Sequence, residues 1–135
     1  MKKNTLKINI ERPVEEVFAF TTDSSKISQW FDSIVEEISS DIPMKSGTIL
    51  KNRAPGSDEW KSYRVTDYVP NKTFTLSQVN GDYYVRYIYM PSIDGTDLAY
   101  EEWTDNGELA SIELQSTLEN LKSILGNETS ERSDV

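Results

Sequence analysis

From about residue 32 to residue 104 the chain is a succession of short apolar runs cut by turn chemistry, and this punctuation limits the possible folds most. Ile34–Ile38 ends at Asp41-Ile42-Pro43, and Gly47–Arg53 closes at Pro55-Gly56-Ser57-Asp58. Glu59–Val69 ends at Pro70-Asn71-Lys72, and Thr73–Val79 runs into Asn80-Gly81, a two-residue hairpin signal. Tyr83–Met90 and Thr96–Thr104 follow, divided by Asp94-Gly95. Parallel neighbours need a crossover of about a dozen residues, which none of these connectors supplies, so successive strands are expected to pair as an antiparallel meander.

The flanks are different. Leu6, Ile8 and Ile10 alternate with Lys7, Asn9 and Glu11, the period of a half-buried strand. Pro13 stops that strand and suits a helix start, with Glu15 and Glu16 favourable at the positive end of the helix dipole. Val14, Val17, Phe18 and Thr21 place a short helix at about 13–21. Asp23 or Ser24 can cap a second, carrying Ile27 and Trp30 inward. A DNA-reading helical hairpin needs basic residues on its second helix, and Lys26 is the only one in Asp23–Gln29, so the pair reads as a structural lid. After Asn106-Gly107, the residues Leu114, Leu118, Leu121 and Leu125 form one stripe on a helix of about 108–125, with Gly126 as its expected cap. One domain over residues 1–126 and a disordered polar tail over 127–135 are expected.

Chemistry is limited by what is missing. The 135 residues include no Cys and no His, which removes disulfides, thiolate nucleophiles, imidazole metal ligands and His-based proton transfer. The net charge is −9, divided as −1 over residues 1–70 and −8 over 71–135, so counterion release cannot drive nucleic-acid binding. No apolar run approaches the ~18 residues of a membrane span, and the first residues lack the apolar core of a signal peptide. A cytoplasmic monomer, with no cofactor, no metal and no stable membrane insertion, is the expectation. Glu102, Thr104, Asn106 and Glu113 match calcium-loop spacing, but Asp105-Asn106-Gly107 reads better as a turn and helix cap.

Four local patterns resemble a known family. These are Ile10-Glu11-Arg12-Pro13-Val14-Glu15-Glu16-Val17-Phe18, the Asp23…Trp30 spacing, Tyr63-Arg64-Val65-Thr66-Asp67-Tyr68, and Gly95-Thr96-Asp97-Leu98. With the element order, they make residues 4–125 similar to the START-like (SRPBCC) superfamily, near its polyketide cyclase/dehydrase and lipid-transport branch. The resemblance implies an α+β helix-grip fold, β-α-α-β6-α, with a curved seven-stranded antiparallel sheet around a long C-terminal helix. It also implies a small hydrophobic ligand (lipid, sterol, polyketide or flavonoid-like) carried between sheet and helix. Two alternatives come with it: a polyketide cyclase/dehydratase, and an interaction module resembling the activators of the large heat-shock ATPase.

Ligand-lining candidates are Leu114, Leu118 and Leu121 on the helix, and Phe74, Leu76, Tyr87, Tyr89, Leu98, Tyr100 and Glu102 on the sheet, with Trp30 and Phe31 at the mouth. No catalytic residue is assigned. Cyclase chemistry without His would need Arg64 or Arg86 turned inward beside Glu102. The face taken by Arg64, Arg86, Trp60 and Trp103 depends on strand register, which periodicity does not determine.

Overall fold

A computed structural model of the chain describes residues 2–107, 109 and 114–133, with residues 127–133 described by backbone alone. The strands are β1 (Lys2–Ile10), β2 (Glu36–Ser39), β3 (Ile49–Arg53), β4 (Lys61–Val69), β5 (Thr73–Gln78), β6 (Tyr83–Ser92) and β7 (Gly95–Thr104). They form one antiparallel sheet in the order β1-β7-β6-β5-β4-β3-β2. The meander therefore runs as expected, and the first strand returns to pair with the last. Two short helices, α1 (Val14–Thr21) and α2 (Ile27–Trp30), fill the connection from β1 to β2, and α3 (Leu114–Ser133) ends the chain.

Local chemistry explains where the elements stop. The Pro13 carbonyl accepts from the amides of Glu16 and Val17, which starts α1. Asp23 accepts from both the amide and hydroxyl of Ser25, so it forms a turn instead of capping α2; the residue before that helix is Lys26. Gly95 begins β7 where a side chain would collide with the backbone of Ile10, Glu11 and Arg12, and next to it Thr96 donates to the Arg12 carbonyl. In β4 the register shifts between Thr66 and Val69, and Asp67 takes a positive φ of 49°, a bulge of the kind that bends a strand.

Three expectations change. The β5–β6 turn spans residues 79–82 rather than Asn80-Gly81 alone: Asp82 is drawn out of the hairpin to accept from the Asn106 amide, and the Gln78 side chain folds against Gly81, where no Cβ intervenes. The described part of α3 starts at Leu114, residue 109 being outside any helix; residues 108 and 110–113 lie outside the described residues. The helix also continues through Gly126, the expected cap, to Ser133, since one interior glycine costs only about 1 kcal/mol and does not by itself end a helix.

The helices cover one face of the sheet. Leu118, Leu121 and Leu125 of α3 are buried with Ile10, Val65, Phe74, Leu98 and Tyr100 in one core cluster. The α3 helix lies against β1 and α2, and α1 lies against β6 and β7. Among the described residues no helix is long and apolar enough to cross a membrane.

Candidate functional site

The strand registers define the inner face, the one carrying the helices. Tyr87 stands opposite Tyr100 and Phe74, Val85 opposite Glu102 and Leu76, and Tyr89 opposite Leu98. On the far strands Tyr63 is opposite Gln78 and Leu50, and Glu37 is opposite Asn52. Because side chains alternate along strands, these residues share one surface.

The aromatic side chains on that surface touch each other. Phe74 and Tyr87 stack with centroids 4.5 Å apart, and Tyr100 meets Tyr87 edge-on at 5.1 Å. Phe18 of α1 packs edge-on against Tyr89 at 5.0 Å and against Phe74 at 6.2 Å. Of the sequence candidates, Trp30, Phe74, Tyr87, Tyr89, Leu98, Tyr100, Glu102, Leu118 and Leu121 are all buried here, and Leu76 and Leu114 are half-buried beside them. Trp30, expected at a mouth, is 0 % exposed and lies against Phe31, so it plugs the interior.

The same face carries more polar groups than packing requires. Tyr83 donates to Glu102 at 2.8 Å, and the Asn4 amide donates to the other Glu102 oxygen at 3.4 Å. The hydroxyls of Tyr89 and Thr21 bond at 2.6 Å. At the other end, Glu37 accepts from Ser24 at 2.7 Å and from Asn52 at 3.2 Å. Tyr63 and Tyr87 both feel the Glu37 charge, and Tyr87 also feels Tyr100 and Tyr83. A polar line therefore crosses the interior from Glu37, past Tyr63 and Tyr87, to Tyr100, Tyr83 and Glu102. Burial pushes the phenols of Tyr83, Tyr87, Tyr89 and Tyr100 well above the usual tyrosine range, so all stay neutral donors. Burial also raises the Glu37 carboxyl, against the opposing pull of its Ser24 and Asn52 hydrogen bonds.

One buried polar group in this region lacks a hydrogen-bond partner among the described residues. It is the Trp30 indole N–H. The Tyr87 hydroxyl, on a residue only 3 % exposed, makes no hydrogen bond among the described residues either.

Neither arginine weighed from sequence faces this space. Arg64 is exposed, and Arg86 lies in a row across the outer face. Its guanidinium sits 5.2 Å from the Trp103 ring, donates to Thr75 at 3.0 Å and pairs with Asp67 at 3.6 Å. Trp103 also stacks on Tyr84, and Glu101 pairs with Lys3, so these residues belong to the outer face too. Trp60 is exposed beneath Arg53. The inward Arg–Glu–Tyr arrangement is not formed. The calcium-like spacing dissolves as well: Glu102 turns inward to Tyr83, and Thr104 accepts from the Gly107 amide. A groove of 360 Å³ among Lys7, Asn9, Met90, Asp97 and Ala99 opens on the outer face, where the Asn9 amide is already bonded to Ser92, Asp94 and Asp97.

Glu37, Tyr63 and Tyr83 are inner-face residues that the sequence did not single out as candidates. Ile38, the apolar residue of that first strand, is 52 % exposed, while its neighbour Glu37 turns inward. The correct signal was the polar pair Glu37 and Asn52, placed opposite each other once Leu50 is taken as inward.

No protein-family model matches the chain, and no curated protein matches it by sequence. Solved structures do. Protein MLL2253 from Mesorhizobium loti superposes with a TM-score of 0.76 at 17% identity, covering 93% of this chain and 98% of that one. The Aha1 dimer from Colwellia psychrerythraea gives 0.69 at 17% identity, covering 93% and 96%. DynU16, a protein of the dynemicin biosynthetic locus, gives 0.69 at 19% identity, covering 92% of this chain and 47% of that one. The fold is a helix grip. A helix grip presents one sheet face to a single long helix, and here that face bears the line from Glu37 to Glu102.

Proposed function

We propose that the chain binds a small, largely apolar molecule with hydrogen-bonding groups, held between the inner sheet face and α3. The Trp30 indole N–H carries this reading. It is buried with no hydrogen-bond partner among the described residues, and an unpaired buried donor costs about 1–3 kcal/mol. A ligand acceptor atom that bonds the Trp30 N–H, with the Tyr87 hydroxyl as a second partner, would remove that cost. Leu98, Tyr100, Leu118 and Leu121 supply the apolar walls, and Tyr83 with Glu102 the far polar end. The fold shared with a protein of the dynemicin biosynthetic locus supports a ligand of the polyketide kind.

The test is a ¹⁵N NMR titration against a fatty acid, a sterol, a flavonoid and an aromatic polyketide. Shifts clustered on Leu98, Tyr100, Leu118, Leu121 and the Trp30 indole are expected, and the compound that produces them names the ligand class. Absence of shifts from every class would refute the reading. It would then favour protein association, which has its own support in the exposed Val35 and Ile38 near edge strand β2 and in the fold shared with an Aha1 dimer.

A further inference from the structure

The charge pattern of the inner face goes further than the presence of a site, and resting on the binding reading above, we infer that this site accepts neutral hydroxylated or protonated-amine ligands and rejects carboxylates. Two carboxyl groups, Glu37 and Glu102, stand on the inner face at opposite ends of the tyrosine line. No buried lysine is found among the described residues, and the one buried arginine, Arg12, lies beyond the end of β1 against Glu16 of α1. Arg64 and Arg86 point out of the other face, and Lys2 and Lys61, whose strand positions share the inner face, are exposed at their strand ends.

An anionic head group entering this space would lose its hydration with no buried cation in exchange. It would also approach acidic side chains already held by hydrogen bonds from Tyr83, Asn4, Ser24 and Asn52. An ammonium group meets the reverse situation, with a carboxyl acceptor at either end and phenol oxygens between. A hydroxyl is served equally well, because it can accept from Tyr87 and donate to a carboxyl oxygen. At separations of several ångströms in a partly dry interior, one charge pair is enough to change affinity by about tenfold or more.

A matched probe series isolates the head group: 2-naphthol, 2-naphthylmethylamine and 2-naphthoic acid, titrated at neutral pH and followed by inner-face NMR shifts. Salt of about 0.5 M screens the overall negative charge of the protein. The amine and the naphthol are expected to bind at least about tenfold more tightly than the naphthoate. Glu37→Gln and Glu102→Gln, which keep side-chain size and an acceptor oxygen, are expected to narrow the gap between amine and naphthoate. Naphthoate binding as tightly as the amine, or an unchanged gap in both variants, would overturn the charge selection and leave the binding site standing. Failure of all three probes to shift inner-face resonances would instead refute the binding reading, and this inference with it.

Discussion

Removing the Tyr87 hydroxyl gives the sharpest test of the site, because stability and binding should respond in opposite directions. The residue is 3 % exposed, its hydroxyl makes no hydrogen bond among the described residues, and its ring stacks on Phe74 at 4.5 Å. Tyr87→Phe keeps the stack and the volume and deletes only a polar atom with no hydrogen bond to the described residues. Folding stability is therefore expected to stay level or rise by up to about 1 kcal/mol. Tyr83→Phe is the control on the same face: it removes the 2.8 Å bond to Glu102 and leaves that buried carboxyl with the longer Asn4 contact. That variant should lose about 1–3 kcal/mol. Urea unfolding followed by tryptophan fluorescence reads both, and on heating each kcal/mol corresponds to about 4 °C in a chain of this size. For whichever compound binds the parent protein, Tyr87→Phe should weaken affinity by about threefold to tenfold, the worth of one net hydrogen bond. A Tyr87→Phe protein destabilised by more than about 1 kcal/mol would mean that the hydroxyl already has a structural partner. The opening for a ligand would then be gone.

Other consequences can be checked alongside. Burial raises the Glu37 carboxyl, so the folded state favours its protonated form; its stabilising effect is complete below the unfolded value and is lost as pH rises through the folded one. Glu37→Gln should thus gain stability relative to the parent between about pH 4 and pH 7, measured by urea unfolding at both, and a gap that shrinks with rising pH would contradict the burial argument. Arg86→Ala removes outer-face contacts only and should cost about 0.5–1.5 kcal/mol in thermal unfolding with ligand affinity unchanged; a lost affinity would show that the faces are misassigned. Gly95→Ala places a Cβ against the Ile10 carbonyl and the Arg12 amide, and should cost at least about 2 kcal/mol, read by circular dichroism on heating; a neutral result would mean that β1 and β7 do not approach so closely there.

The antiparallel meander was legible in the chain because its information is local. Turn residues such as Asp94-Gly95 and Pro70-Asn71-Lys72 act within a few positions, and the leucine stripe from Leu114 to Leu125 repeats at the helical period whatever surrounds it. The chemical exclusions that follow from lacking His and Cys needed composition alone. The burial of Leu98, Tyr100, Leu118 and Leu121 was also readable, since they alternate or repeat at the period of their elements. The faces of the polar residues were not. Shifting a strand by one residue exchanges its two faces at no local cost, so the sequence left Arg86 free to point toward Glu102 or away from it. Tertiary pairing decided that: the β5–β6–β7 registers carry Arg86 outward to Trp103 and Asp67 and turn Glu102 inward to Tyr83. The same physics put Glu37 inside and Ile38 outside. A four-residue edge strand has too little hydrophobic surface to choose its own face, and follows the neighbour that pairs with it.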